Sequence, residues 1–392
     1  MRAVTIYATS HCNLRCKHCA VGLDQYHPRP QLETGQLSQV VRNLAKSGTR
    51  YVTILGGEAT AYVPGLVQIL DVAEEAHIQI AINTNLLIWK FISPLLCKPA
   101  LNTLIISLDG ATADTHDQMR GQGTFKKTLA NIDRLNGHPR VASGEISTEI
   151  SYVMSRLNIH EAAEMVSLAA SLGARRLNVK PVKMIGRASR YERDLHLDSK
   201  QLLDAYCETV LAWLMCDKIQ LDLHLTPVFA RYINERFDLN MPADPHPACG
   251  GPEEFGYVDL RGNLLPCPAM AYEENLSTGH TAAVPEINLL AASASEVTGS
   301  QLFTQFEHQR KERASRTKMW PCRVCSFSQM CAPCTADIVK GDPGSEVEIC
   351  AAVYEHSDEY LPGFSARYFS NANIPSGPTR RPNLRQLPMV NR

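Results

Sequence analysis

Three cysteines near the start of the chain have the spacing of a reactive metal centre. Three residues separate Cys12 from Cys16, and two residues separate Cys16 from Cys19. Three thiolates in one loop can hold three irons of a cuboidal iron–sulfur cluster and leave the fourth iron open to a substrate or cofactor. Zinc is the alternative, because His11 or His18 could supply the fourth ligand of a tetrahedral site. The spacing favours iron–sulfur and leaves zinc open.

Seven further cysteines, grouped towards the C-terminus, predict a second metal-bearing region. In chain order they are Cys249, Cys267, Cys322, Cys325, Cys331, Cys334 and Cys350. Cysteine pairs separated by two residues are, taken alone, more typical of zinc than of iron–sulfur. The chain has 13 cysteines in all and lacks the basic-then-apolar start of a secretory signal. We therefore expect a cytoplasmic protein whose cysteines serve metal or redox chemistry rather than disulfides.

The composition argues against membrane and nucleic-acid-binding classes. The 392 residues carry 39 basic and 40 acidic side chains, so the net charge of −1 gives no general attraction to nucleic acid or to an anionic membrane. No apolar run approaches the roughly 20 residues that a transmembrane helix needs. With 44% hydrophobic residues, the chain can bury sizeable cores. We predict no membrane partner and no nucleic-acid partner.

The first 186 residues alternate strand-like and helix-like periods. Six short apolar runs predict strands buried between helices, at residues 3–8, 51–55, 78–83, 103–108, 146–153 and 176–180. Helix-like stripes separate them; one is predicted to start with a capping box of Asn158 and Glu161, and another consists of Leu37, Val40, Val41 and Leu44. Six units are too few to close the standard eight-fold barrel. We therefore predict an α/β fold, a partial (β/α)6 TIM-type barrel.

Glycines and polar residues lie where three of the predicted strands end. From the second strand to the fourth they are Gly56, Gly57, Glu58, Asn85, Ser107 and Asp109. The carboxyl ends of parallel barrel strands form one rim, where ligands bind. We therefore expect these groups to share a rim with the N-terminal cysteine loop.

The order of these motifs resembles that of radical S-adenosylmethionine (SAM) enzymes. The chain reads CNLRCKHC, then LGGE, INTN and SLDG, followed by HDQMRGQGTF, and the resemblance covers about residues 1–186. It implies a [4Fe–4S] cluster whose open iron binds the methionyl amine and carboxylate of SAM. The implied ligands of that cluster are Cys12, Cys16 and Cys19.

The same resemblance implies the SAM contacts. Gly56, Gly57 and Glu58 would receive the methionyl amine, and the ribose or carboxylate would lie near Asn85, Ser107 and Asp109. One position departs from the family pattern. The residue before the third cysteine is usually aromatic and packs near the adenine, whereas here it is His18, whose imidazole can still stack.

The C-terminal cysteines resemble the SPASM domain, an extension of peptide-modifying radical SAM enzymes that carries auxiliary iron–sulfur clusters. The resemblance covers about residues 249–350. It implies a distal cluster fully ligated by Cys322, Cys325, Cys331 and Cys350. It also implies a proximal cluster, nearer the barrel, held by Cys249, Cys267 and Cys334. Full members often have a fourth cysteine between the first two, and residues 250–266 contain none. The alternatives are an open iron, a smaller [2Fe–2S] form, or a carboxylate ligand from Glu253, Glu254 or Asp259.

These two resemblances divide the chain into four predicted segments. Residues 1–186 form the radical SAM partial barrel and residues 187–244 a helical connector. Residues 245–355 form a small, irregular α+β domain of SPASM type, and residues 356–392 a tail rich in proline and arginine.

The resemblance implies that SAM cleavage gives a 5′-deoxyadenosyl radical, which abstracts hydrogen from an unactivated carbon. We predict an oxidoreductase that oxidises or cross-links a ribosomally made peptide. An enzyme acting on a small molecule, of tetrapyrrole or aminosugar type, is the alternative, and a zinc-ribbon binding protein is a third. The cluster motif starts at residue 12, so we expect a peptide leader to be bound by a separate protein, by the barrel and tail, or not at all. We also expect an electron donor such as flavodoxin or ferredoxin.

Overall fold

The computed structural model describes residues 1–20, 31–216, 218–223, 225–240, 255–267, 288–314, 320–328, 331 and 344–369. Nine strands of these residues form one sheet in the order β7-β6-β5-β4-β3-β2-β1-β8-β9. Their bounds are β1 (Ala3–Tyr7), β2 (Tyr51–Leu55), β3 (Gln79–Thr84), β4 (Leu101–Ser107), β5 (Ser147–Met154), β6 (Arg176–Pro181), β7 (Gln220–Leu223), β8 (Phe255–Val258) and β9 (Leu264–Leu265).

Neighbouring strands are parallel, except that β8 and β9 are antiparallel. The six predicted strands correspond to β1–β6, and each boundary agrees within two residues. Within the described part of the chain β7 and β9 form the two edges, so the sheet is not closed. The predicted α/β partial barrel is confirmed. It has more strands than expected, because β7 extends it within the connector and β8 extends it from the C-terminal region.

Helices connect the strands and cover the sheet. In the described ranges they are α1 (Thr34–Lys46), α2 (Val63–Glu75), α3 (Trp89–Ile92), α4 (Ala113–Arg120), α5 (Thr124–Asn136), α6 (Pro139–Ala142), α7 (Ala162–Ser171), α8 (Glu192–Leu195), α9 (Ser199–Leu214), α10 (Pro227–Phe237), α11 (Ala294–Thr298), α12 (Gln301–Ala314), α13 (Gly344–His356) and α14 (Phe364–Tyr368). Within the described ranges, no helix is both long and apolar enough to cross a membrane.

The predicted helical stripe of α1 faces the sheet. Leu37, Val40, Val41 and Leu44 are all fully buried, as expected for apolar residues that recur every three or four positions on one helix face. The same hydrophobic core continues from β1 through to Phe364 and Phe369. The C-terminal segments therefore pack on the barrel rather than apart from it.

The capping box predicted for Asn158 and Glu161 is wrong. Helix α7 begins after both residues, and neither side chain caps it. Asn158 instead donates from Nδ2 to the carbonyl of Asp109 at 3.0 Å. Glu161 accepts from the hydroxyls of Thr112 and Thr115 at 2.7 and 2.9 Å, at the start of α4. Both residues therefore fix the loop after β4, which carries Asp109.

Candidate active site

The cysteine loop begins directly after β1 and is clamped by the loop that follows β2. The backbone N–H of Gly57 donates to the carbonyl of Thr9 at 2.7 Å, and that of Glu58 donates to the carbonyl of His11 at 2.7 Å. A Cβ on Gly57 would lie 2.4 Å from the His11 carbonyl oxygen. This close backbone approach requires glycine. The structure therefore gives Gly57 a reason other than ligand approach, namely contact with the cysteine loop.

Glu58 joins the ends of β2 and β3. Its Oε1 accepts hydrogen bonds from Thr60 N at 3.2 Å, from Thr60 Oγ1 at 2.6 Å and from Thr84 Oγ1 at 2.7 Å. Its Oε2 accepts from the backbone N–H of Asn85 at 2.8 Å. The residue is 4% exposed. Because a carboxylate oxygen has two lone pairs, Oε2 keeps the capacity for one more donor, such as an ammonium group.

Asn85 connects β3 to the cysteine loop. Its Nδ2 donates to Asn13 Oδ1 at 2.9 Å, and its Oδ1 accepts from Leu87 N at 3.1 Å. Ser107, at the end of β4, donates to Asn83 Oδ1 at 3.2 Å. The polar residues expected on one rim therefore form contacts from strand to strand, and Asn85 reaches the loop that holds Cys12.

Asp109 lies at the centre of a buried ion network below the cysteine loop. Its Oδ2 is 2.5 Å from Arg120 Nε and 3.3 Å from His18 Nε2. Its Oδ1 accepts from the backbone N–H of Val153 at 2.8 Å. The Asp109 side chain is fully buried, and the other two side chains are 9% exposed. Both carboxylate oxygens are thus engaged by protein groups, and the network links β4, β5, α4 and the cysteine loop.

The charges of this network are fixed by their neighbours. Burial alone would raise the pKa of Asp109, but the Arg120 guanidinium and the hydrogen bond from Val153 N–H outweigh it and hold that pKa below its usual value. Burial lowers the pKa of His18 to about 4, so its ring is neutral at pH 7. His18 Nδ1 is buried and has no hydrogen-bond partner within the described ranges. This atom can accept or donate a hydrogen bond to a polar group bound beside the loop.

Burial also keeps Cys12 and Cys16 protonated when no metal is bound. It raises the pKa of Cys12 to about 11 and that of Cys16 to about 12, while the Arg120 guanidinium opposes the shift at Cys16. Thiols must lose their protons to ligate metal. The nearby guanidinium favours that loss, because it stabilises the negative charge that forms.

Arg120, Asn13 and Thr84 are site residues that the sequence reasoning missed. Arg120 lies four residues after His116 on α4, and His116 Nδ1 accepts the backbone N–H of Asp109 at 3.1 Å. Residues four apart share a helix face. The four-residue spacing of His116 and Arg120 within HDQMRG was the signal in the sequence that both side chains contact the loop carrying Asp109.

The C-terminal cysteines are described in part. Cys322, Cys325, Cys331 and Cys350 line one small cavity, together with Thr226, Pro227 and Phe327. These are the four residues predicted to ligate the distal cluster. Cys267 is buried just after β9, whereas Cys249 and Cys334, like Glu253 and Glu254, lie outside the described residues. The ligand set of the proximal cluster stays a prediction.

Asp259 is engaged elsewhere. Its Oδ1 accepts from the backbone N–H groups of Arg261 and Asn263 at 2.8 Å, and its Oδ2 accepts from Asn263 Nδ2 at 2.9 Å. The carboxylate therefore closes the turn between β8 and β9. This arrangement does not support Asp259 as a replacement cluster ligand.

The described cysteines can be compared with the geometry of a site for one metal ion. Among the residues that the structure describes, no three His, Cys, Asp or Glu side chains converge as the ligands of one ion do. The described cysteines are free thiols. A cuboidal cluster binds each thiolate on a different iron, so its ligands stand further apart than those of a zinc ion.

The profile of the Radical SAM superfamily matches residues 6–169. The chain therefore contains a radical SAM domain. The matched range starts within β1 and ends within α7. It therefore contains the cysteine loop, the Glu58 loop and the Asp109 network.

Two curated relatives differ in the names they carry. The chain is 24% identical over 346 residues to the AdoMet-dependent heme synthase of Methanosarcina barkeri, covering 86% of this chain and 91% of that protein. It is 31% identical over 275 residues to the mycofactocin maturase MftC of Mycobacterium tuberculosis, covering 69% of this chain and 65% of the maturase. The match to the maturase thus spans just under two thirds of its length.

A solved radical SAM structure shares the fold. Streptococcus suis SuiB bound to S-adenosylmethionine has a TM-score of 0.65 and 18% identity, with 87% of this chain and 75% of SuiB covered. SuiB has also been solved bound to its precursor peptide SuiA. At this identity the likeness establishes the fold.

A radical SAM domain implies a [4Fe–4S] cluster and SAM, and the residues of this domain fit both. Cys12, Cys16 and Cys19 supply three soft thiolate donors in one loop. Glu58 Oε2 keeps capacity for one more donor, and His18 Nδ1 is a buried polar atom beside the loop. The individual SAM contacts stay predictions.

Proposed function

We propose that this protein oxidises or cross-links a ribosomally made peptide by radical SAM chemistry. The observation that carries the proposal is the rim on which Glu58, Asn85 and the Asp109 network all engage the cysteine loop. The 31% identity to a mycofactocin maturase supports a peptide as the substrate. SuiB, which shares the fold, binds a precursor peptide.

In this proposal the chain's own residues bind and orient the cofactors. Cys12, Cys16 and Cys19 hold the cluster, and Glu58 Oε2 accepts the methionyl ammonium of SAM. Bound SAM supplies a 5′-deoxyadenosyl radical, which takes hydrogen from an unactivated carbon. Asp109, whose side chain is fully buried, acts indirectly by fixing His18 and Arg120 beside the loop.

The C-terminal cysteines supply auxiliary iron–sulfur clusters in the same proposal. The cavity shared by the four distal cysteines supports a fully ligated cluster there. Such a cluster can take the electron that a substrate radical must lose when a new bond or double bond forms. A flavodoxin or ferredoxin supplies the electron for SAM cleavage. The peptide leader is bound by a separate protein, by the barrel and tail, or not at all.

Heme-type chemistry is the second candidate, favoured by the likeness to an AdoMet-dependent heme synthase over 91% of that protein. Both candidates can be tested on the anaerobically reconstituted protein with reductant and SAM. One set of reactions receives short peptides encoded beside the gene, and the other receives tetrapyrroles. The measurements are 5′-deoxyadenosine release and the mass of the substrate.

A loss of two hydrogens from a peptide, with matching release of 5′-deoxyadenosine, supports the peptide proposal. A mass change in the tetrapyrrole alone contradicts it and supports the second candidate. The matched control is the variant in which alanine replaces Cys12, Cys16 and Cys19. It should release no 5′-deoxyadenosine with either substrate.

A further inference from the structure

Thr226 contacts the cysteine cavity from a part of the chain that the cysteine motifs do not include. It lies immediately before α10, and its Oγ1 is 3.2 Å from the Sγ of Cys350, 124 residues away in the sequence. The two residues are 7% and 8% exposed. Because both are buried, water does not compete for this contact. The fold, rather than local sequence, brings the hydroxyl to the sulfur.

The Thr226 hydroxyl does not cap its own helix. Thr226 occupies the N-cap position of α10 with extended backbone angles, φ −79° and ψ 157°. A threonine at this position ordinarily accepts a hydrogen bond from the second or third N–H of the helix. Here the side chain makes no capping bond, and its oxygen contacts Cys350 instead. The contact has replaced a bond that would normally stabilise the helix.

Cluster formation reverses the direction of this hydrogen bond. In a free thiol the Cys350 S–H donates to Thr226 Oγ1. A cysteine that ligates iron is a thiolate and has no proton, so the hydroxyl must then donate to the sulfur. Hydrogen bonds to cluster sulfurs help to set the reduction potential.

We infer that Thr226 donates a hydrogen bond to the Cys350 thiolate of the distal auxiliary cluster and raises the reduction potential of that cluster. This inference rests on the proposed function, which assigns the cluster to these cysteines. The reduced cluster carries one more negative charge, so the donor stabilises it more than the oxidised form. The positive N-terminal end of α10 acts in the same direction, since Pro227 and Val228 of its first turn also line the cavity.

The test compares three variants of the full-length, anaerobically reconstituted protein. Thr226→Val keeps the shape of the side chain and removes the hydroxyl, whereas Thr226→Ser keeps the hydroxyl. Thr209→Val is the matched control, because Thr209 is fully buried in α9 and its hydroxyl donates to the Ala205 carbonyl at 2.7 Å. A redox titration followed by paramagnetic resonance measures the potential of the signal that Cys350→Ala removes.

Thr226→Val should lower the ratio of reduced to oxidised distal cluster, at a fixed potential, roughly threefold to tenfold. A tenfold change corresponds to about 59 mV for a one-electron couple. Thr226→Ser and Thr209→Val should keep the wild-type potential. An unchanged potential in Thr226→Val would overturn the inference and leave the proposed function standing.

Two other outcomes are also decisive. If Thr226→Val loses the distal iron while Thr226→Ser keeps both iron and potential, the hydroxyl is needed at Cys350 and the inference is supported. If the serine variant also loses iron, the threonine methyl acts by packing and the inference is wrong. Wild-type protein with only about four irons and no signal dependent on Cys350 would overturn the cluster assignment, and the inference with it.

Discussion

Replacing Arg120 with methionine should destabilise the protein and do so through Asp109. The guanidinium lies 2.5 Å from a fully buried carboxylate and is itself 9% exposed. Removing one partner of a buried ion pair costs about 3–5 kcal/mol, because the other charge is left uncompensated. Asp109 would keep the Val153 N–H bond and the His18 contact. We therefore expect a loss near the lower limit, about 3 kcal/mol of unfolding free energy.

A double-mutant cycle with Asp109→Asn isolates the pair. The Arg120→Met/Asp109→Asn variant no longer buries an uncompensated charge, so it should be more stable than Arg120→Met alone. The assay is urea unfolding of the metal-free protein in anaerobic, reducing buffer. Arg231→Met is the control, because the Arg231 side chain is 45% exposed beside Glu235 and such pairs contribute roughly 0.5 kcal/mol or less.

The stability difference between wild type and Arg120→Met should also change with pH in a definite direction. In the wild type the pKa of Asp109 is held low chiefly by Arg120, so its contribution is present above the unfolded pKa and is lost as pH falls through the folded pKa. Without Arg120, burial dominates and raises that pKa, so the variant loses stability as pH rises. The gap between wild type and variant should therefore widen from pH 5 to pH 7.5. A gap that is constant with pH, or no larger than for Arg231→Met, would refute the ion-pair reasoning.

Three further outcomes test the site. Gly57→Ala should prevent assembly of the N-terminal cluster, because its Cβ would lie 2.4 Å from the His11 carbonyl oxygen. Gly35→Ala is the control and should leave the cluster intact, because its Cβ would meet nothing within 4 Å. Iron and sulfide analysis measures cluster content in both variants. Glu58→Gln should weaken SAM binding roughly tenfold to a hundredfold with unchanged iron content, since a charge-assisted hydrogen bond is lost; unchanged affinity in calorimetry would remove Glu58 from the site. The reconstituted protein should hold about 12 irons, or about 10 if the proximal cluster is [2Fe–2S]. About four fewer are expected after alanine replaces Cys12, Cys16 and Cys19.

The sequence predicted the positions of β1–β6 but did not predict β7, β8 or β9. Strands β1–β6 are apolar runs buried between helices, so their residue types suffice to identify them. Strand β7 reads QLDL, only four residues with two of them polar, and it gains its place from pairing with β6. Strand β8 pairs with β1, far away in the chain. No local pattern indicates such a partner.

The site shows the same division between local and tertiary information. The cysteine loop and the Glu58 loop could be found from spacing, because their chemistry requires particular residues at particular intervals. The sequence left His18 open as a residue that could stack or ligate zinc, and the structure adds a buried contact with Asp109 that no neighbour in the sequence indicates. Asn158 and Glu161 were assigned to a helix cap, although both fix the loop after β4. When a side chain has several possible partners, the tertiary packing determines which one it contacts, and the neighbouring residues in the sequence do not.

The pairing of β1 with β8 also has a consequence for synthesis of the chain. Strand β1 can pair with β2 once residues 51–55 have emerged, but β8 follows about 250 residues after β1. At about 5–20 residues per second, translation of that interval takes about 12–50 s. Throughout that time one edge of β1 presents unpaired N–H and C=O groups next to the cysteine loop. Of the described strands, β1 therefore waits longest for its second neighbour, and its open edge is a site where the nascent chain is exposed to wrong pairing.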